Sequence, residues 1–133
     1  MITPLLALVF SSVTIQIDGM EVDGQRVSEM RCELESGGLL ASAIVVGSLA
    51  KQKTALDACA PEGGAYVATW TWGAGAKVEV TKGSPEKGNA CVQKALEAVE
   101  SDLKGSCTAT LLVGDVEGSA KALEALSAPP ATE

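Results

Sequence analysis

Four cysteines, Cys32, Cys59, Cys91 and Cys107, together with the lack of any histidine, constrain this 133-residue chain more than any other feature. There is no C-x-x-C pair and no imidazole ligand, so the spacing does not suit a zinc site. An even set suits disulfides, and four cysteines allow three connectivities. Loops of a few tens of residues would each contribute about 3–4 kcal/mol in the chain-entropy model. In a small domain that is a large share of the net stability. The competing reading, four reduced and buried small hydrophobes, belongs to a reducing cytosol.

The start of the chain bears on that choice. Residues 1–12 hold a short apolar run followed by small residues, as in the hydrophobic part of a secretory signal, although no Lys or Arg precedes Arg26. The run is too short to span a bilayer. We read residues 1–12 as a truncated signal, with a plain first strand as the competing account. The chain is thus expected to be extracytoplasmic, periplasmic or secreted.

Seventeen acidic residues against ten basic ones give a net charge of −7, which should repel phosphate backbones, so nucleic acid is not an expected partner. The rest of the pattern is a single α+β domain over residues 13–114. Val13 to Ile17 alternates with period two, and the apolar parity then slips to Met20 and Val22, which a bulge at Gly19 would explain. Asp23-Gly24 signals a hairpin turn, best kept in register by a three-residue loop. The returning strand places Met30, Cys32 and Leu34 on one face. Leu39 to about Ala60 predicts one helix with Val45, Leu49, Leu56 and Cys59 in a stripe before Pro61, its first half apolar nearly all round and hence deeply buried. A second hairpin joins Ala65–Trp72 to Ala76–Lys82, with Tyr66, Ala68, Trp70 and Trp72 on one face and Val78 and Val80 on one face of the return. Ser84-Pro85 predicts an N-cap and first helical position for a helix carrying Val92, Ala95, Leu96, Val99 and Leu103. Ser106–Val113 predicts a last strand. The expected order is β-β-α-β-β-α-β, a mostly antiparallel sheet of about five strands with two helices on one face and all four cysteines facing the core. Residues 115–133 read as a frayed helical turn and flexible tail.

The run from Leu56-Asp-Ala-Cys59 through a hairpin tipped by Gly73 to Gly75, Gly83-Ser84, Ala90-Cys91-Val92, a helix, Gly105 and a final strand resembles the TonB-like C-terminal domains of AgmX/PglI-type envelope proteins. The resemblance covers Ala55 to Val113. It implies a disulfide between Cys59 and Cys91, which leaves Cys32 and Cys107 as a second pair. It also implies a bacterial envelope setting; the aromatic-proline ending typical of such domains is absent after Leu112-Val113-Gly114, and a partner strand is expected instead along an open edge of the sheet-and-helix module. TonB itself relays energy through a membrane anchor and a Pro-rich spacer; a hairpin and an apolar helix stand before Ala55 here, so energy transduction is not expected.

Chemical motifs are few. Without histidine, Ser-His-Asp and Cys-His catalysis have no base. Three S-x-x-K tetrads occur, at Ser48, Ser84 and Ser101, but eleven Ser and eight Lys supply about one by chance and the partner motifs are missing. Asp18, Glu21 and Asp23 lack the ligand spacing of a calcium loop, and turn chemistry accounts for them. Gly73-Ala-Gly75 at a hairpin tip has no helix start with which to cradle a phosphate. No catalytic residue, metal or cofactor is assigned. The aromatic row Tyr66, Trp70 and Trp72 is the candidate partner contact if exposed and core if not, with core the expected outcome. The expected function is a non-enzymatic extracytoplasmic protein-binding or structural module; the alternative is a small apolar-ligand carrier with a cavity between the sheet and the helix Leu39 to Ala50.

Overall fold

The structure is a computed structural model and describes residues 13–34, 41–72, 77–99 and 104–127. Among these are six strands: β1 (Val13–Ile17), β2 (Met20–Val22), β3 (Gln25–Leu34), β4 (Gly64–Trp72), β5 (Lys77–Ser84) and β6 (Gly105–Val113). Four α-helices accompany them: α1 (Ala41–Ala50), α2 (Lys53–Cys59), α3 (Asn89–Glu97) and α4 (Val116–Ser127). The α+β class expected from the sequence is present. Every pairing is antiparallel, in the order β1-β3-β6-β4-β5, with β2 continuing the β1 edge against β3.

The parity slip at Gly19 has a structural counterpart on two strands. Met20 pairs with Val27 and Ile17 with Met30, so Asp18-Gly19 lies opposite Ser28-Glu29. Across β3 and β6 the register shifts at the same point, between Val27 and Glu29, leaving Ser28 as the extra residue. A bulge moves every later side chain to the other face. This is how Gln25 and Val27 before it, and Met30, Cys32 and Leu34 after it, all reach the core. The loop expected to hold three residues needs only two. Asp23 and Gly24 have φ of 51° and 86°, the left-handed pair that a tight hairpin requires, and the bulge supplies the correction instead.

The long helix expected from Leu39 to Ala60 is two helices. Residues 39 and 40 lie outside the described ones, and the chain turns at Lys51-Gln52, where the Gln52 amide donates to the Leu49 carbonyl at 2.9 Å. The halves have different partners: α1 packs on β2 and β3, α2 on α3 and β6, so one straight axis does not serve both. Val45, Leu49 and Leu56 are buried as expected, but Ile44 remains 49% exposed, so the first half is not covered all round. The second expected helix also starts later. Ser84 closes β5, Pro85 is extended after a cis peptide bond, a 3-10 turn spans Glu86–Gly88, and α3 begins at Asn89 with no side-chain cap. Val92, Ala95 and Leu96 form its buried stripe; Leu103 lies outside the described residues.

The segment read as a tail is largely helix. In α4 the Asp115 carboxylate accepts from the Gly118 amide at 2.8 Å, an N-cap bond. This helix covers the face of the sheet opposite α1, α2 and α3. Arg26, whose neighbours Gln25 and Val27 point into the core, donates to the Ser119 hydroxyl at 2.8 Å and to the Gly114 carbonyl at 3.0 Å. Helices therefore lie on both faces, a difference from the single helical layer expected. Residues 1–12, read as a signal, lie outside the described residues.

Candidate functional site

The cysteines pair as the resemblance implies. Cys32 and Cys107 sit directly opposite each other on β3 and β6, with a 2.04 Å S–S bond and both side chains buried. Cys59 and Cys91 join α2 to α3 with a 2.00 Å S–S bond. The expectation that all four face the core holds only for the first pair, since Cys59 is half-buried and Cys91 exposed. Two such bonds are compatible with an oxidising, extracytoplasmic environment.

The aromatic row is interior. Tyr66, Trp70 and Trp72 are 0%, 2% and 9% exposed, and the two indoles meet edge to face with centroids 5.9 Å apart. The Tyr66 hydroxyl donates to the Pro85 carbonyl at 2.8 Å, and burial pushes its pKa up from the ordinary value. Only Trp72 borders a surface concavity, an open groove of about 370 Å³ between β4, β5 and α3 with Val78, Leu96 and Val99 on its floor. The row is therefore interior, with Trp72 lining this groove.

The motifs weighed for catalysis or metal are scattered. The Ser48 hydroxyl donates to the Ile44 carbonyl within α1, Ser84 ends β5, and Ser101 lies outside the described residues. Asp18, Glu21 and Asp23 are exposed on a bulge, a strand and a turn, and no group of three metal-ligating side chains forms among the described residues. Between α1 and the sheet, Met30, Cys32, Leu34, Val45, Val46 and Leu49 are each at most 1% exposed. A void wide enough for water would leave these side chains exposed to it, so among the described residues these six enclose no cavity.

The two edges of the sheet and one open face remain. Edge β5 is guarded. It carries exposed Lys77, Glu79 and Lys82, bulges at Thr81 opposite Val67-Ala68, and has the Val80 amide bonded at 3.1 Å to the Gln93 side chain of α3. Edge β1 has none of these features. Val13, Thr14, Ile15, Gln16 and Ile17 include no charge, proline or glycine, and among the described residues no strand lies beyond it. Beside it, on the same face as α4 but beyond that helix, Gln16, Glu29, Arg31, Thr108 and Thr110 line an open cleft of about 410 Å³. Sequence reasoning foresaw an open edge without saying which one. The signal available was the contrast in charge between Val13–Ile17 and Lys77–Lys82.

What these features define is a disulfide-stapled α+β domain in which, among the described residues, the uncharged strand β1 forms one sheet edge. No protein-family model, curated protein or solved structure matches the chain, and nothing in those comparisons identifies a TonB-like domain.

Proposed function

We propose that this chain is a non-enzymatic, extracytoplasmic binding module of the bacterial envelope that takes up a partner strand along β1. The observation carrying the proposal is the asymmetry of the edges: β5 is charged, bulged and capped by Gln93, whereas β1 is uncharged and, among the described residues, outermost on its side of the sheet. The filled interior favours this reading over the carrier. The two disulfides and the signal-like residues 1–12 support export, and the TonB-like resemblance agrees with an envelope setting.

The test is titration of the isotope-labelled protein with an acetylated peptide of residues 12–18, a neutral-stranded probe, followed by backbone amide shifts. Shifts centred on Val13–Ile17 that vanish in Thr14→Lys/Gln16→Lys are expected, because both side chains are exposed and lysines guard an edge. Shifts elsewhere, or none, would remove β1 as the site. Thiol trapping in intact cells tests the compartment: all four cysteines should resist alkylation before reduction, and free thiols there would end the export reading.

A further inference from the structure

We infer that the occupant of the β1 edge is a second copy of this chain, paired antiparallel about a two-fold axis that passes beside Ile15 normal to the sheet. This rests on the strand-addition reading above and names its partner.

Self-pairing sets each residue against its own mirror position, so any charge near the centre meets its like. A chain of net charge −7 has few places where that encounter is free of repulsion. Val13–Ile17 is one. Centred on Ile15, all five residues pair, Val13 with Ile17, Thr14 with Gln16 and Ile15 with itself. The helix above this end of the sheet, α1 on β2 and β3, is uncharged from Ala41 to Ala50 as well.

The flanking strand selects the register. Gln16 lies opposite Arg31 and Thr14 opposite Glu33 across β1 and β3. With the axis beside Ile15, each row across the joined sheet reads Arg31, Gln16, then Thr14 and Glu33 of the second copy, with opposite charges at its ends. Centring on Gln16 would align Arg31 with Arg31, and centring on Thr14 would align Glu33 with Glu33. Only the register that pairs all five residues also places unlike charges in line.

The scale of the contact sets its strength. Five residues span about 17 Å of ladder, and the two copies of β3 stand roughly 14 Å apart, three strand spacings. Helices packed directly against each other lie about 8–10 Å apart, so two α1 helices over β3 flank the axis without close packing. Such an interface falls at the small, transient end of the range, and a dimer dissociating at roughly tens of micromolar is expected.

Sedimentation velocity across a concentration series, on the wild type and on Thr14→Lys/Gln16→Lys, tests this with hydrogen exchange at β1 and the peptide of residues 12–18 as companions. A concentration-dependent dimer that the double lysine variant abolishes, with unchanged thermal unfolding at low concentration, is the expected result. A dimer indifferent to the lysines places the interface elsewhere and overturns the inference. A monomer at every concentration that still binds the peptide at β1 overturns the second copy and leaves strand addition standing; a monomer that binds none ends both. A monomer whose β1 amides are all protected shows the edge covered by the chain's own residues and likewise overturns the pairing.

Discussion

Cys32–Cys107 and Cys59–Cys91 do the same covalent work in opposite surroundings. The first closes a sequence separation of 75 inside the sheet, both sulfurs dry, with Met30, Leu34, Ala109 and Leu111 in the same core. The second closes a separation of 32 between two helices, with Cys91 exposed. Beneath the second bond the packing relies on backbone and on one ring. Tyr66 fills a socket with no side chain at Gly83 or Gly88: an added Cβ at Gly88 would meet its hydroxyl at 2.1 Å, and one at Gly83 would meet its ring at 2.4 Å. The strand pair thus combines loop closure with core volume. The helix pair ties down two short helices over a keyed aromatic.

The largest effect should come from Cys32→Ala/Cys107→Ala. Chain entropy alone gives about 4.5 kcal/mol for a loop of this length, and truncating buried sulfur adds a cavity cost. Urea unfolding should show the domain near or past its stability limit; a loss smaller than that of the second pair would break the contrast. Cys59→Ala/Cys91→Ala should cost about 3.7 kcal/mol by the same relation, with little packing penalty at the exposed end. The native sheet should survive in its amide spectrum. Next comes Gly88→Ala, expected to lose about 1–3 kcal/mol because a rigid ring, not a flexible chain end, opposes the new methyl. A neutral result in thermal melts would show that the socket can yield.

Tyr66→Phe should have the smallest effect, about 1 kcal/mol at neutral pH, for one hydrogen bond to the Pro85 carbonyl. Its pH dependence sharpens the comparison. The folded state holds the phenol above its ordinary pKa near 10, so the unfolded chain loses that proton first as pH rises. The phenol's contribution is fully present below pH ~10 and is lost as pH climbs through the raised value. The stability gap between wild type and Tyr66→Phe should therefore narrow in alkali. Since Tyr66 is the sole tyrosine, its ultraviolet titration reads that group alone, and ionisation at the ordinary value would contradict its burial.

The strands were legible because a half-buried strand must alternate, and Val13–Ile17, the Tyr66 to Trp72 row and Cys107 to Val113 do so. The cysteine pairing was not legible in spacing, which left three connectivities open; it was implied only by the resemblance over Ala55 to Val113. Less legible was α4: Ser119, Ala122, Leu123 and Leu126 repeat at helical spacing after the Asp115 cap, yet the stripe is short and small. The break at Lys51-Gln52 had no punctuation at all, neither glycine nor proline. For the β1 edge, sequence supplied the charge contrast, but which strands stand outermost follows from pairings between β3 and β6 that are distant along the chain.

Composition and local period decided, unaided, that this chain folds as alternating strands and helices, carries an even cysteine set and has no histidine for chemistry. Those properties depend on neighbours one to four residues apart. The shared bulge at Ser28 and Gly19, the dry bond and the wet one, the Tyr66 socket, the helix on the second face and the outermost place of β1 among the described strands were decided only by tertiary structure. Each depends on which remote segments lie side by side, and the burial of a group is fixed by those neighbours rather than by its own identity.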